Sequence, residues 1–201
     1  MGMSLSKEQN SSAVSAVVTS LHDRFGDAGI TAESVAHTSG KKYEFVRIVC
    51  VPEHWTAVAK WLKFEAGINH CSMVTGTHFP EGTPERGWEV AVHLHRWPIT
   101  NVKAHTMTVH DAKKLTGDNI PIEVEVFIPI PSGESPSVPS VQDLWEGADW
   151  NEKETWDLVG IDFEGHVNMH RVLNPHDSPV GFHPLQRQHK IRYHDFNEMY
   201  D

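Results

Sequence analysis

Residues 120–128 read IPIEVEVFI, and in this run Ile122, Val124, Val126 and Ile128 alternate with Glu123, Glu125 and Phe127. A period of two sends successive side chains to opposite faces of a strand, so one face is apolar and the other mostly charged. Such a strand belongs to a sheet that is covered on one side and open on the other. Working backwards, Trp88, Val90, Val92 and Leu94 alternate in the same way with Glu89, Ala91, His93 and His95, and a segment around Asn101 to His110 keeps the period. Three half-buried strands with short connections predict an antiparallel meander.

The covering elements lie further upstream. Val14, Val17, Val18, Leu21 and Phe25 fall at helical spacing, with Ser11 or Ser12 placed to cap the start and Gly26 the end. Tyr43 to Val51, rich in β-branched and aromatic residues, reads as a strand closed by Pro52. Trp55, Val58, Ala59, Leu62 and Ala66 then trace a second helix that Gly67 stops, and a strand is expected around His70 to Thr75. Pro80, Gly82, Pro84 and Gly87 mark a turn region before Trp88. The expected fold is therefore α+β: a mixed, largely antiparallel sheet with helices packed on one face, over residues 11–128, behind a flexible N-terminal stretch at 1–10.

Beyond the sheet, Pro129 to Ser140 reads PIPSGESPSVPS and is expected to be a linker, since its four prolines and four serines suit no element interior. Residues 141–185 follow, and Asp149 to Leu185 reads DWNEKETWDLVGIDFEGHVNMHRVLNPHDSPVGFHPL. Asn151 to Val159 suits a short helix, with Asn151 as N-cap, Glu152 and Glu154 at its positive end and Gly160 at its C-terminus. After Gly165 the chain is expected to be irregular, and 186–201 to be an extended tail that gains order on a partner.

Composition narrows the function classes. A net charge of -10, from 27 acids and 17 bases, argues against nucleic-acid binding. Cys50 and Cys71, 21 residues apart, cannot hold an iron-sulfur cluster or a multi-cysteine zinc site, and are expected to be inert core thiols. No apolar run reaches the ~20 residues of a membrane span, and the N-terminus lacks the apolar core of a signal peptide, so a cytoplasmic protein is expected. No phosphate-binding glycine loop, nucleophile elbow or HExxH string is present.

Glu152 and Glu154, two apart on a helix, point in different directions and make no acid-base dyad; Asp157 with Arg171 reads as an ordering salt bridge or an interface charge. Among the 15 histidines, His93 and His95 share a strand face, and His166 and His170 would share a helix face. Either pair can supply two metal ligands, but surface or hydrogen-bonded imidazole is the favoured reading, and neither a metal nor a catalytic residue is assigned. Trp145, Trp150 and Trp156 are suited to anchoring an interface.

The ordered set Trp150, Glu152-Lys153-Glu154, Asp157, Gly160-Ile161, Phe163, Gly165-His166, Arg171, Leu173, His183-Pro184-Leu185 and Arg187 closely resembles the C-terminal signature of the C-type subunit of NADH-quinone oxidoreductase, the 30 kDa-type subunit in the peripheral arm of respiratory complex I. The resemblance runs over roughly residues 43–190. It departs at Val167, at His170-Arg171-Val172 and at Gln186-Arg187-Gln188, which leaves the type of parent complex open. It implies a non-catalytic subunit without its own cofactor, the iron-sulfur clusters and quinone residing in partner subunits. The implied partners are a hydrogenase-like large subunit of the D type and iron-sulfur subunits of the B and I types, on the cytoplasmic side of the membrane.

The same resemblance implies docking and shaping roles for Trp150, Glu152, Glu154, Trp156, Asp157, Gly160, Phe163, Gly165, His166, Arg171, Leu173, His183, Pro184, Leu185 and Arg187. Related subunits occur in membrane-bound hydrogenases and in ferredoxin- or deazaflavin-fed complexes. A histidine-dependent metal-binding protein is the distant alternative.

Overall fold

The computed structural model describes residues 5–26, 29–38, 43–97, 99–103, 106–109, 120–133 and 135–189. Helix α1 spans Lys7–Phe25, β1 Ile30–Ala36, β2 Glu44–Cys50, α2 Pro52–Phe64, β3 His70–Thr83 and β4 Arg86–Arg96. Then come β5 (Ile99–Lys103), β6 (Thr106–Val109), β7 (Ile122–Ile130), β8 (Ser137–Pro139), α3 (Glu146–Val159) and β9 (Asp162–Glu164).

The main sheet has the order β1-β2-β7-β4-β3. Every neighbouring pair is antiparallel except β2 with β7. This is the mixed, largely antiparallel sheet expected from the alternation, with β7 at its centre. On the apolar face of β7, Ile122, Val124, Val126, Ile128 and Ile130 are all buried, whereas Glu123, Glu125 and Phe127 are half-buried on the opposite face. The core joins that apolar face to Val14, Val17 and Leu21 of α1 and to Trp55, Val58, Ala59 and Leu62 of α2.

Several expectations are corrected. Helix α1 begins at Lys7, within the stretch expected to be flexible, because Ser6 accepts from the Gln9 amide while the Gln9 side chain accepts from the Ser6 amide. Strand β1 has no clear alternation and is not foreseen from the sequence. The turn region at Pro80 to Gly87 is mostly strand, since β3 runs on to Thr83 and only Pro84 and Glu85 form the turn. The segment around Asn101 to His110 is no third strand of a meander: β5 and β6 make a separate two-stranded sheet. Within the expected linker, Pro129 and Ile130 end β7, while Ser137–Pro139 pair in parallel with Asp162–Glu164. Helix α3 starts at Glu146, five residues before Asn151, and has Trp145 as its N-cap. Of the tail expected over 186–201, only 186–189 fall among the described residues, as do only 5–10 of the expected N-terminal stretch.

Helix α3 lies against β3, and Gly76 sets the closeness of that packing. A Cβ there would stand 2.7 Å from both Ile161 Cδ1 and Thr155 Cγ2. Thr155 Oγ1 donates to the Val74 carbonyl (3.1 Å), and Trp145 Nε1 to the Ile68 carbonyl (3.0 Å), tying both ends of the helix to the sheet domain.

Candidate docking region around helix α3

Helix α3 carries two fully buried carboxylates, Glu152 and Asp157, and each holds a different piece of non-helical chain. Glu152 accepts from Ser140 Oγ (2.6 Å) and from the Val141 amide (2.8 Å), fastening the strap that follows β8. Burial, reinforced by the negative charges of Asp149 and Asp143, pushes the Glu152 carboxyl up to about 7 against those two hydrogen bonds. His166, whose imidazole is buried, places Nε2 3.1 Å from Asp149 Oδ1 and 4.0 Å from Glu152 Oε2. Lys153 Nζ reaches the same Asp149 carboxylate at 2.9 Å.

Asp157 is the hub of the irregular chain beyond Gly165. Arg171 Nη1 donates to Oδ1 at 2.7 Å, and the amides of Val172, Leu173 and Asn174 donate to Oδ2 at 3.0, 2.9 and 2.9 Å. Asn174 Nδ2 adds a bond to Oδ1 at 2.9 Å. Burial alone would push this carboxyl up; the bonds from Asn174, Leu173 and Arg171 outweigh it and hold the carboxyl well below the usual carboxylate range. The expected Asp157–Arg171 salt bridge is thus present and internal. Arg171 also donates to the Phe182 and Pro179 carbonyls at 3.0 and 3.1 Å and lies over the Trp156 ring at 5.6 Å.

A helix leaves its last carbonyls without intrahelical donors, and α3 has no basic residue in its final turn. The returning chain supplies the donors instead. His183 Nδ1 bonds the Asp157 carbonyl (3.1 Å), the Leu185 amide bonds that of Leu158 (2.9 Å), and Gln186 Nε2 bonds that of Val159 (2.7 Å). Gly160, at φ 86°, makes the left-handed exit that this close return requires, since a Cβ there would stand 2.5 Å from Gln186 Nε2.

The fifteen residues marked by the signature divide by exposure. Glu152, Asp157, Phe163 and Arg171 are buried; Glu154, Trp156, Gly160, His166, His183 and Pro184 are half-buried; Trp150, Gly165, Leu173, Leu185 and Arg187 are exposed. Phe163 fills the core from β9, Gly165 (φ 83°) makes the turn after it, Trp150 Nε1 donates to Glu154 Oε1 (2.7 Å), and Arg187 pairs with Glu81. Sequence reading missed Ser140, Val141, Asn174 and Gln186, which act mainly through hydrogen bonds to α3. Among the described residues, nine large hydrophobics are exposed, and five of them, Trp150, Val167, Leu173, Val180 and Leu185, lie on this region, so the apolar surface is concentrated where the chain is least regular.

The metal-ligand pairs read from spacing resolve differently. His166 and His170 share no helix: His166 faces Asp149 and His170 Nδ1 lies 2.9 Å from the Asn168 carbonyl. His93 and His95 do share the open face of β4, with ring centroids 4.5 Å apart. Cys50 and Cys71 are buried free thiols, pushed by burial up to about 12 and about 11. Among the described residues no helix is long and apolar enough to cross a membrane.

Comparison with known proteins agrees with this architecture. A C-type subunit of NADH-quinone oxidoreductase from Laribacter hongkongensis is 30% identical over 147 residues, 73% of this chain and 66% of the relative. One from Chloroherpeton thalassium is 41% identical over 81 residues, 39% of this chain and 32% of the relative. A C/D-type subunit of NADH-quinone oxidoreductase from Gluconacetobacter diazotrophicus is 48% identical over 65 residues, 32% of this chain and only 10% of the relative. The matched stretches therefore span between a tenth and two thirds of these relatives' lengths.

Two solved structures share the fold. A trypsin-resistant fragment of Nqo5 superposes with a TM-score of 0.52 at 20% identity, covering 78% of this chain and 98% of the fragment. A chain of the membrane-bound sulfane sulfur reductase, an archaeal respiratory membrane complex, superposes with a TM-score of 0.57 at 17% identity, covering 88% and 85%. The profile of the respiratory-chain NADH dehydrogenase 30 kDa subunit matches residues 48–195, from β2 through the whole of the α3 region, and the chain belongs to that family.

Proposed function

We propose that this chain is a non-catalytic subunit of the peripheral arm of a complex I-like membrane oxidoreductase, and that the α3 region is its docking surface. The observation that carries the reading is the pairing of a rigid interior with an apolar exterior. Asp157, Glu152 and Arg171 immobilise the loops from within, while Trp150, Leu173 and Leu185 are left facing outwards. A surface whose conformation is fixed before binding loses less entropy on docking, and tryptophan is a frequent anchor of such contacts.

The partner best suited to this surface is the hydrogenase-like large subunit of the D type, with iron-sulfur subunits of the B and I types nearby; a relative named for both C and D supports that neighbourhood. In this reading the clusters and the quinone belong to the partners, the chain reaches the cytoplasmic face of the membrane only through them, and quinone reduction coupled to proton translocation is a property of the assembly. NADH is the donor proposed, with ferredoxin, deazaflavin or hydrogenase-type input as the outcomes that would change it.

The test is purification through a tag on this chain from gently solubilised native membranes, followed by identification of what co-elutes. A large hydrogenase-like subunit with iron-sulfur subunits is the expected result, and the input module among them names the donor. Recovery of the chain alone from intact membranes overturns the reading.

A further inference from the structure

The face of the sheet turned away from α1 and α2 gathers charged and imidazole groups that the docking region does not use. Glu123 of β7 stands between two histidines from different strands: His37, just past β1, brings Nε2 to 3.1 Å from Oε2, and His93 of β4 brings Nε2 to 2.8 Å from Oε1. Glu125 lies two residues further along β7, on the same face, directly across from His93 in the strand register. One donor atom each from His93, Glu123 and Glu125 lies within 4.8 Å of the others, and all three residues are half-buried.

We propose that His37, His93, Glu123 and Glu125 form a binding site for one divalent transition-metal ion of the zinc type. Two imidazole nitrogens with two carboxylate oxygens are a donor set that suits zinc, cobalt or nickel. Bonds of about 2.0–2.2 Å put tetrahedral donors about 3.4 Å apart, so the donors of His93, Glu123 and Glu125, now within 4.8 Å of one another, would draw together on the ion, with His37 turning in from its contact with Glu123.

The surroundings favour a cation at this point. Glu123 and Glu125 bring two carboxyl groups to the cluster, and Glu123 has both His37 and His93 as hydrogen-bond partners. Arg47 Nη2, 3.4 Å from Glu125 Oε2, offsets part of the second negative charge and would share that carboxylate with the ion. His93 has its other nitrogen positioned as well: Ser72 Oγ lies 3.0 Å from Nδ1 and donates to the His93 carbonyl at 3.0 Å. Without an ion, Nε2–H donates to the Glu123 carboxylate; a bound ion would displace that proton, with Ser72 Oγ beside Nδ1 holding the ring in place. The ion would tie three strand regions, β1, β4 and β7, across the open face. This inference does not rest on the docking reading, and it departs from the sequence expectation, which assigned no metal.

The experiment uses the full chain, free of any histidine tag and stripped with a chelator, titrated with zinc by calorimetry and with cobalt by visible absorption. Expected are one saturable site, tetrahedral-type cobalt bands displaced by zinc, and a rise in melting temperature of about 5–10 °C at saturating zinc. H93A and E123Q should each weaken binding at least tenfold and abolish the melting shift; S72A should weaken it about tenfold through the orienting bond alone. The stacked pair His170 and His176, replaced together by alanine, should leave the site intact. H37A is a second ligand variant should H93A not fold. Binding that survives both E123Q and a ligand-histidine variant, binding lost in the His170/His176 double variant, or no saturation below about 1 mM overturns the proposal.

Discussion

Replacing Asp157 by alanine removes the anchor of the segment from Arg171 to Asn174. The carboxylate is fully buried and accepts five hydrogen bonds, two of them from side chains and three from consecutive amides. Without it, the Arg171 guanidinium keeps only two carbonyl partners, and three amides lose theirs. Breaking a buried ion pair from one side costs about 3–5 kcal/mol, and the orphaned amides would add to that if they stayed buried. They need not stay buried, because residues 171–189 can detach while the sheet holds, so the loss should appear as local opening near that figure. Hydrogen exchange by mass spectrometry reads it directly. Amides 172–174 should exchange roughly 100- to 3,000-fold faster in D157A, at about 1.4 kcal/mol per factor of ten, while those of β4 and β7 keep their protection. In the unaltered protein the folded carboxyl titrates below its unfolded value, so its stabilisation is present above about pH 4 and lost as the pH falls further. Pepsin, active in that window, should begin to cut within 171–189 before it cuts the sheet. Unchanged protection at 172–174 in D157A, or equal loss of protection across β4 and β7, would refute the hub role.

Glu152 should behave oppositely. Its folded carboxyl is raised to about 7, so its favourable contribution is complete below the unfolded value and lost as the pH climbs through about 7. The stability of E152Q relative to the unaltered protein should therefore rise by up to about 3 kcal/mol between pH 5 and pH 8; denaturant midpoints that keep a constant difference over that range would exclude this. G76V drives a side chain into Thr155 and Ile161 and should cost about 1–3 kcal/mol in denaturant unfolding, whereas a neutral result would mean that α3 packs on β3 less closely than described. W150A combined with L185A trims exposed side chains and should change stability by less than about 1 kcal/mol while lowering the yield of co-purified partners at least tenfold; full recovery of partners would remove these residues from the docking surface.

How far the sequence could be read follows from where each interaction lives. Alternation along Trp88 to Leu94 and Ile122 to Ile128 reports burial directly, because the two faces of a strand meet different solvents. Helical spacing reports α1 and α2 for the same reason. Strand β1 lacks the signal: its first apolar residues Ile30 and Ala32 are buried, but its end is mostly exposed, as an edge position allows. Strand order is not local either. The parallel pairing of β2 with β7 joins residues nearly eighty positions apart, and no period within either strand announces its neighbour. In the α3 region the signature picked out Asp157 and Arg171, yet the bonds that make Asp157 a hub come largely from backbone amides, which every residue but proline possesses. Asn174 and Gln186 are polar residues in a polar stretch, and only the fold distinguishes them from solvated ones.

The contrast between Glu152 and Asp157 explains how a chain with so little regular structure past Gly165 can still present a defined surface. Both carboxylates leave the same helix fully buried, five residues apart, which turns them well away from each other. Glu152 is buried with two donors and two nearby anions, so its ionised form carries a burial cost that the donors only partly offset, and it sits on the margin of protonation near neutrality. Asp157 meets five donated hydrogen bonds, one of them from a guanidinium, so it stays ionised and holds its loop firmly. The loop carrying Leu173 hangs on Asp157, and the return carrying Leu185 hangs on the carbonyls at the end of the same helix. Rigidity at the proposed docking surface thus comes from polar groups pointing inwards, leaving the apolar side chains of those residues facing outwards, and on that proposal a substitution that spares every exposed residue should still weaken docking by releasing the loops from within.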